Sequence, residues 1–204
     1  VGSSKIGCLI LKFEGLEEKI EADGVGSLAG QSGFQVIGSA LTRSRGMEYG
    51  EIVSMPETER AIRTALQSAQ KLANSRVDHV IACISGGSPR SYGLEGTVDI
   101  KTGIVDDNDI ADVLGSCGIP AYGSDREVLH AQPVNFSLDH RTGLSDPRGQ
   151  IGKKLSVDMH MLTVKEKTIH DLAYCLKRCD LELAGVASAS YASALSSLVE
   201  DEKE

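Results

Sequence analysis

The sequence predicts an α/β fold in which a strand-and-helix core carries an inserted strand-helix-strand-strand α+β subdomain. Three observations predict it. A helical apolar stripe between residues 54 and 75 leads into a nearly continuous apolar strand, 78–85, of the kind found when both faces of a sheet are covered. At Gly86-Gly87-Ser88-Pro89 the character changes to alternating strands around one helix. After residue 165 the helix, strand, helix pattern of the core returns. The core is therefore expected in 1–85 and 166–204, with 86–165 inserted.

In chain order, 6–13 reads as a buried strand. Residues 14–33, with Gly24, Gly26, Gly30 and Gly33, read as a flexible hairpin connection. A second strand is expected over 34–41, a turn region over 42–50 and a short strand over 51–53. Ser54, with Glu57 three residues on, predicts a capping box, and Pro56 sits in the first turn, where its missing N–H costs nothing. Ile62, Leu66, Ala69, Leu72 and Ala73 form the expected buried stripe, and Asn74 and Ser75 end the helix. In the insertion, 91–100 reads as a strand and 106–117 as a helix with Ile110, Val113, Leu114 and Cys117 inward. A long strand over 127–138 tolerates Pro133 and is therefore expected to be bulged or at an edge. Residues 139–152 read as a loop. The strand over 154–164 turns Leu155, Val157, Met159 and Met161 to one face. A helix over 168–179 has Ile169, Leu172, Ala173 and Leu176 on its stripe; a strand over 181–188 and a short helix over 191–199 complete the core.

At 204 residues and 41% hydrophobic content the chain can bury a core. Its net charge of −8 argues against nucleic acid as a main partner, because phosphate contacts need clustered Lys and Arg. No apolar run approaches the roughly 18 residues of a membrane span. The five cysteines, at 8, 83, 117, 175 and 179, contain no CxxC pair, which argues against a zinc ribbon or thioredoxin motif. Cys8 and Cys83 read as small buried hydrophobes. Cys175 and Cys179, one helical turn apart, read as packed thiols in a reducing compartment. The chain starts in mid-motif without Met and stops at the acidic 200–204, so it is expected to be an internal piece of a larger protein.

Gly2-Ser3-Ser4-Lys5 is the candidate binding turn. Its backbone N–H groups can converge on an anion, and no Cβ blocks Gly2. Taken alone, such a turn is most often an ordinary strand end. The basic stretch from Arg43 to Gly50 admits a phosphate or protein contact and, equally, a purely structural turn. Ser85-Gly86-Gly87-Ser88 follows a strand as phosphate loops do, but Pro89 and Arg90 lead into another strand, so it reads as a hinge into the insertion. His130, His160 and His170 lack metal-ligand spacing. Asp158 and His160 share a strand face, where a surface or interface role is favoured. The alternating Val128, His130 and Gln132 are candidates for partner pairing at a strand edge.

The order of elements, with Gly-Ser-Ser-Lys after a first strand, resembles the first lobe of the actin-like (ribonuclease H-like) ATPase superfamily. Local motifs narrow the resemblance. Arg43-Ser44-Arg45-Gly46-Met47-x-x-Gly50-x-Ile52-Val53, the strand ending Ser85-Gly86, and Arg126-Glu127-Val128-Leu129-His130-x-x-Pro133-Val134-x-Phe136-Ser137-Leu138-Asp139 are similar to the FtsA family of bacterial cell-division proteins. So are Gly143-Leu144-x-Asp146-Pro147-x-Gly149, Val157-Asp158-Met159-His160 and Arg178-Cys179-x-Leu181. The resemblance runs along almost the whole chain, with 14–33 longer than the family pattern.

This resemblance implies a core subdomain 1A and an inserted subdomain 1C. It implies an actin-like ATP-binding scaffold with at most weak ATPase in the intact parent, polymerising at the division site on the inner, cytoplasmic face of the membrane. That scaffold tethers FtsZ through a second lobe and recruits late proteins such as FtsN through 1C. Its membrane contact is a C-terminal amphipathic helix outside this chain. Gly2, Ser3, Ser4 and Lys5 match the first phosphate loop and are expected to contact Mg–ATP in the parent; the chain by itself is expected to bind ATP poorly and to be inactive. The alternatives are the actin-like pilus-assembly protein PilM and a small-molecule kinase of the same superfamily. The 133–139 and 146–149 motifs speak against the first. The second requires a catalytic Asp beyond this chain.

Overall fold

Alternating apolar residues at 6, 8 and 10 require one side of the first strand to be covered, and a helix covers it. The structure is a computed structural model describing residues 1–13 and 33–198. Apart from Gly33, the 14–33 connection lies outside the described residues. Strand β1 (Lys5–Phe13) pairs antiparallel with β2 (Phe34–Arg43), from Lys5 opposite Arg43 to Phe13 opposite Phe34, with one bulge at Ile10/Leu11. Ile6 and Ile10 are buried on the side where helix α1 (Met55–Ala73) packs. A Cβ on Gly38 would collide with the Ala69 carbonyl, so helix and strand touch backbone to backbone.

The expected 42–50 turn is more structured than its sequence indicates. β2 runs on to Arg43, and β3 (Met47–Glu48) pairs with β4 (Glu51–Ile52). Tyr49 and Gly50 both have positive φ, 51° and 77°, the requirement of a type I′ two-residue hairpin. Gly46, at φ 77°, fits only as glycine, because a Cβ would run into the Ser54 carbonyl. Its own carbonyl accepts from the N–H groups of Val53 and Ser54 and from the hydroxyl of the fully buried Thr58 (3.0 Å).

These bonds correct the expected capping box. The Ser54 side chain makes no cap hydrogen bond, because backbone bonds to Gly46 and the Thr58 hydroxyl on the Ser54 carbonyl (3.0 Å) already fix the helix entry. The buried stripe of α1 is Thr58, Ala61, Ile62, Ala65, Leu66 and Ala69; Leu72 points away and is exposed. β5 (His79–Ile84) pairs with β10 (Glu182–Ser188). Only one of its faces is covered: Ala82 and Ile84 are buried, while Ile81 and Cys83 are exposed. The expectations of a doubly covered strand and of a buried Cys83 are thus corrected. A continuous apolar run records what the strand can bury, not what this chain supplies to cover it.

The described chain forms two compact units, Val1–Ser85 with Asp171–Val186 and Gly86–His170 with Ala187–Glu204. The second is built on a four-stranded antiparallel sheet in the order β6 (Arg90–Asp99), β9 (Lys154–Lys165), β7 (Arg126–Leu138), β8 (Arg141–Leu144). β8 lies within the expected 139–152 loop and is too short for periodicity to reveal. β7 is internal where β8 pairs, and its proline is accommodated by a register shift at Pro133/Asn135, so the bulge reading holds. Helix α2 (Asp107–Ser116) crosses the sheet at Gly96 and closes a core of Ile110, Val113, Phe136, Leu138, Leu155 and Val157. It begins with a true capping box: Asp106 accepts from the Asn108 and Asp109 N–H groups, and the Asp109 carboxylate accepts from the Asp106 N–H. The nearly buried Arg126 donates to Thr163 Oγ1 (2.9 Å) and to the Ser88 carbonyl (2.6 Å). Helices α3 (Glu166–Arg178) and α4 (Ala189–Ser197) complete the chain.

Candidate functional site

The 2–5 turn is held by three hydrogen bonds, two through backbone carbonyls and one through the Ser3 side chain. The Val1 amino nitrogen donates to the Cys83 carbonyl (2.7 Å), the Gly50 N–H to Ser3 Oγ (2.7 Å), and the Ser44 N–H to the Ser4 carbonyl (3.0 Å). The β3–β4 hairpin and the 43–46 loop therefore serve to position this turn. Ser3, Ser4 and Lys5 are exposed. The Ser3 oxygen accepts from Gly50, which leaves its own O–H free to donate outward. At Gly2 a Cβ would meet only ordinary contacts, 3.5 Å to the Lys5 carbonyl and 3.8 Å to Ser85 Oγ. The interior of the fold would therefore admit a side chain at this position.

The register adds two residues that periodicity did not reveal. Lys5 stands directly opposite Arg43, both exposed, and neither has an ion-pair partner among the described residues. Like charges facing across an antiparallel ladder destabilise it. Next to Arg43, Ser44 Oγ is buried without a hydrogen-bond partner among the described residues. The two facing cations and the Ser4 hydroxyl, which has no partner among the described residues, make a donor-rich surface of the kind a phosphate requires. These residues fit a polyphosphate group, and nothing acidic in the turn opposes it. The only sequence signal for Arg43 was the basic Arg-Ser-Arg-Gly run; its position opposite Lys5 depends on the hairpin register.

The other candidates separate. Gly87 has φ 88° and its carbonyl accepts from the Lys165 N–H (2.9 Å); this geometry belongs to a chain turn. Asp158 and His160 lie on the exposed face of β9. The His130 and Gln132 side chains already have partners in the same unit: Nε2 of His130 accepts from the Ser188 N–H (2.9 Å), and the Tyr191 hydroxyl donates to Gln132 Oε1, with the His130 and Tyr191 rings 5.3 Å apart. Burial, and secondarily the field of His160, hold the His130 imidazole below its ordinary value. The neutral ring is the form that can accept from Ser188. No helix among the described residues is long and apolar enough to cross a membrane.

Residues 86–163 match the family described as the SHS2 domain inserted in FtsA. Over its whole length the chain is 34% identical to the cell division protein FtsA of Rhizobium meliloti, covering 45% of that protein. The chain belongs to the FtsA family. It is also 31% identical to the Pseudomonas aeruginosa FtsA over 88% of this chain and 24% identical to that of Escherichia coli K12. This FtsA-family chain spans about half the length of the curated relatives it matches. Among solved structures, a PilM-PilN type IV pilus biogenesis complex matches 96% of it with a TM-score of 0.59 at 9% identity. That likeness shows an actin-like fold with the α+β insertion, and the fold alone.

Proposed function

We propose that this chain is the first lobe of an actin-like cell-division scaffold, and that Gly2, Ser3, Ser4 and Lys5, with Arg43 opposite, hold the phosphates of Mg–ATP in the intact parent. Bound Mg–ATP supplies the polyanion that relieves the Lys5–Arg43 repulsion. The parent self-associates into filaments on the inner face of the cytoplasmic membrane, tethers FtsZ through its second lobe and recruits late proteins such as FtsN through the 86–163 subdomain. The observation that carries the division role is identity along the whole chain to proteins named for cell division.

The test is a chimera in which this chain replaces the matching part of the Rhizobium meliloti FtsA. Expected is a protein that supports division and binds a fluorescent ATP analogue with magnesium, with binding weakened in the Lys5→Gln, Arg43→Gln double variant. A folded chimera that does not support division overturns the division role. Equal nucleotide affinity with and without the two cations overturns the site.

A further inference from the structure

The second unit buries an arginine that has no part in the turn described above. Arg126, the first residue of β7, is only 8% exposed. Its Nε donates to Thr163 Oγ1 (2.9 Å), and Nη2 donates to the carbonyls of Ser88 (2.6 Å) and Thr163 (2.9 Å). Nη1 has no partner among the described residues, yet it is not sealed from the surface. All three oxygens that hold the guanidinium are neutral, so they fix its position without cancelling its charge. A buried charge ordinarily has an opposite charge beside it. The fork is planar and rigid, so pinning Nε and Nη2 also fixes the direction in which Nη1 points.

The sheet register adds positive charge around this group. Lys165 is the Cα partner of Arg126 across β7 and β9, and Arg90 is the partner of Thr163 across β6 and β9. Opposed residues of an antiparallel pair share a face, as do residues two apart on one strand. Arg90, Arg126 and Lys165 therefore stand on one face around Thr163. Arg90 is exposed and makes no ion pair among the described residues. Of the carboxylates nearby in sequence, Glu127 alternates to the opposite face, and neither Asp125 nor Glu166 pairs with Arg126 or Arg90 among the described residues. Ser88, whose carbonyl Arg126 takes, adopts φ 51° directly after Gly87 at φ 88°.

We propose that Arg126 Nη1 and Arg90 hold an oxyanion, the carboxylate or phosphate group of a small solute, on this face of the second unit. The anion accepts from a donor whose other N–H groups are already pinned, so little ordering is left to be done on binding. It also supplies the negative charge that the neutral partners of Arg126 do not. Arg90, on the exposed end of β6, closes over the anion from the solvent side.

The 204-residue chain is isotope-labelled for NMR and carries Lys5→Gln and Arg43→Gln, so that the turn of the first unit does not compete. It is titrated with sodium phosphate and, separately, with sodium acetate, each against sodium chloride at matched ionic strength. The Arg126 Nε–H resonance and the backbone resonances of 87–90 and 125–127 are followed. Expected is a saturable shift of both sets with at least one oxyanion, the tighter of the two giving its class, and none with chloride. Arg90→Gln should weaken that oxyanion several-fold and leave the anion-free Arg126 Nε–H resonance in place, a sign of an intact fold. Shifts that are the same for all three salts and do not saturate overturn the proposal and leave Arg126 as a staple between Ser88 and β9. A folded Arg90→Gln variant with unchanged affinity overturns it as well.

Discussion

Lys5 and Arg43 face one another as Cα partners across the β1–β2 ladder, two exposed cations with no carboxylate between them among the described residues. Like charges at directly opposed positions work against an antiparallel ladder.

The cost of that opposition is measurable without any ligand. Lys5→Gln should raise the stability of the first unit by about 0.2–1 kcal/mol at low ionic strength. The gain should disappear at about 1 M salt, where charges are screened over about 3 Å. Chemical denaturation of both proteins at two salt concentrations checks this; a gain that persists in high salt would mean the two charges do not repel.

Gly96→Ala should unfold the second unit preferentially. The added Cβ would lie 2.5 Å from the Val113 carbonyl and 2.7 Å from Cys117 Sγ, so α2 must lift from β6. Such overpacking costs about 1–3 kcal/mol. Hydrogen exchange resolved by segment should show lost protection in 90–117 and unchanged protection in 55–73.

Two histidines should give pH dependences of opposite sign. His130 has a lowered folded pKa, so the unfolded chain binds the extra proton, and stability is lost as pH falls below about 6.5. His130→Gln, which keeps an acceptor for the Ser188 N–H, should flatten that loss. His79 has a raised folded pKa, first through its hydrogen bond with Asp78 (2.9 Å), with Glu182 adding its charge. Its contribution is complete below about 6.5 and is lost as pH rises through the folded value, and His79→Gln should remove that decline. Denaturation at pH 5 to 8 for both variants separates them.

The face of β1–β2 opposite α1 should tolerate polar substitution. Leu9, Val36 and Leu41 are 66%, 50% and 69% exposed there. Changing each to Thr keeps the β preference and should cost no more than about 0.5 kcal/mol apiece, while lowering binding of a hydrophobic dye. A cooperative loss of stability would show instead that this face is packed in solution.

Element types followed from local chemistry. The helical stripe of α1 depends on Ile62, Leu66 and Ala69 lying three and four apart, and the one-sided burial of β9 on Leu155, Val157 and Met161 lying two apart; both periods are legible in any order of folding. The Gly-Ser-Ser-Lys turn and the FtsA-family resemblance were likewise legible in the sequence. The fold decided what depends on distant partners. Ser54 lost its capping role because Gly46 had already fixed the helix entry. Cys83 became exposed because its strand is covered on one side only. The side chains of His130 and Gln132 were taken up by Ser188 and Tyr191. Arg43 came to stand opposite Lys5, and Arg63 against Asp180, because register and helix packing join residues tens of positions apart. By itself the sequence determined which segments form strands and helices, since propensity and hydrophobic period act within a few residues. Only the tertiary structure decided which charges, hydroxyls and thiols meet, since that depends on how those segments pair.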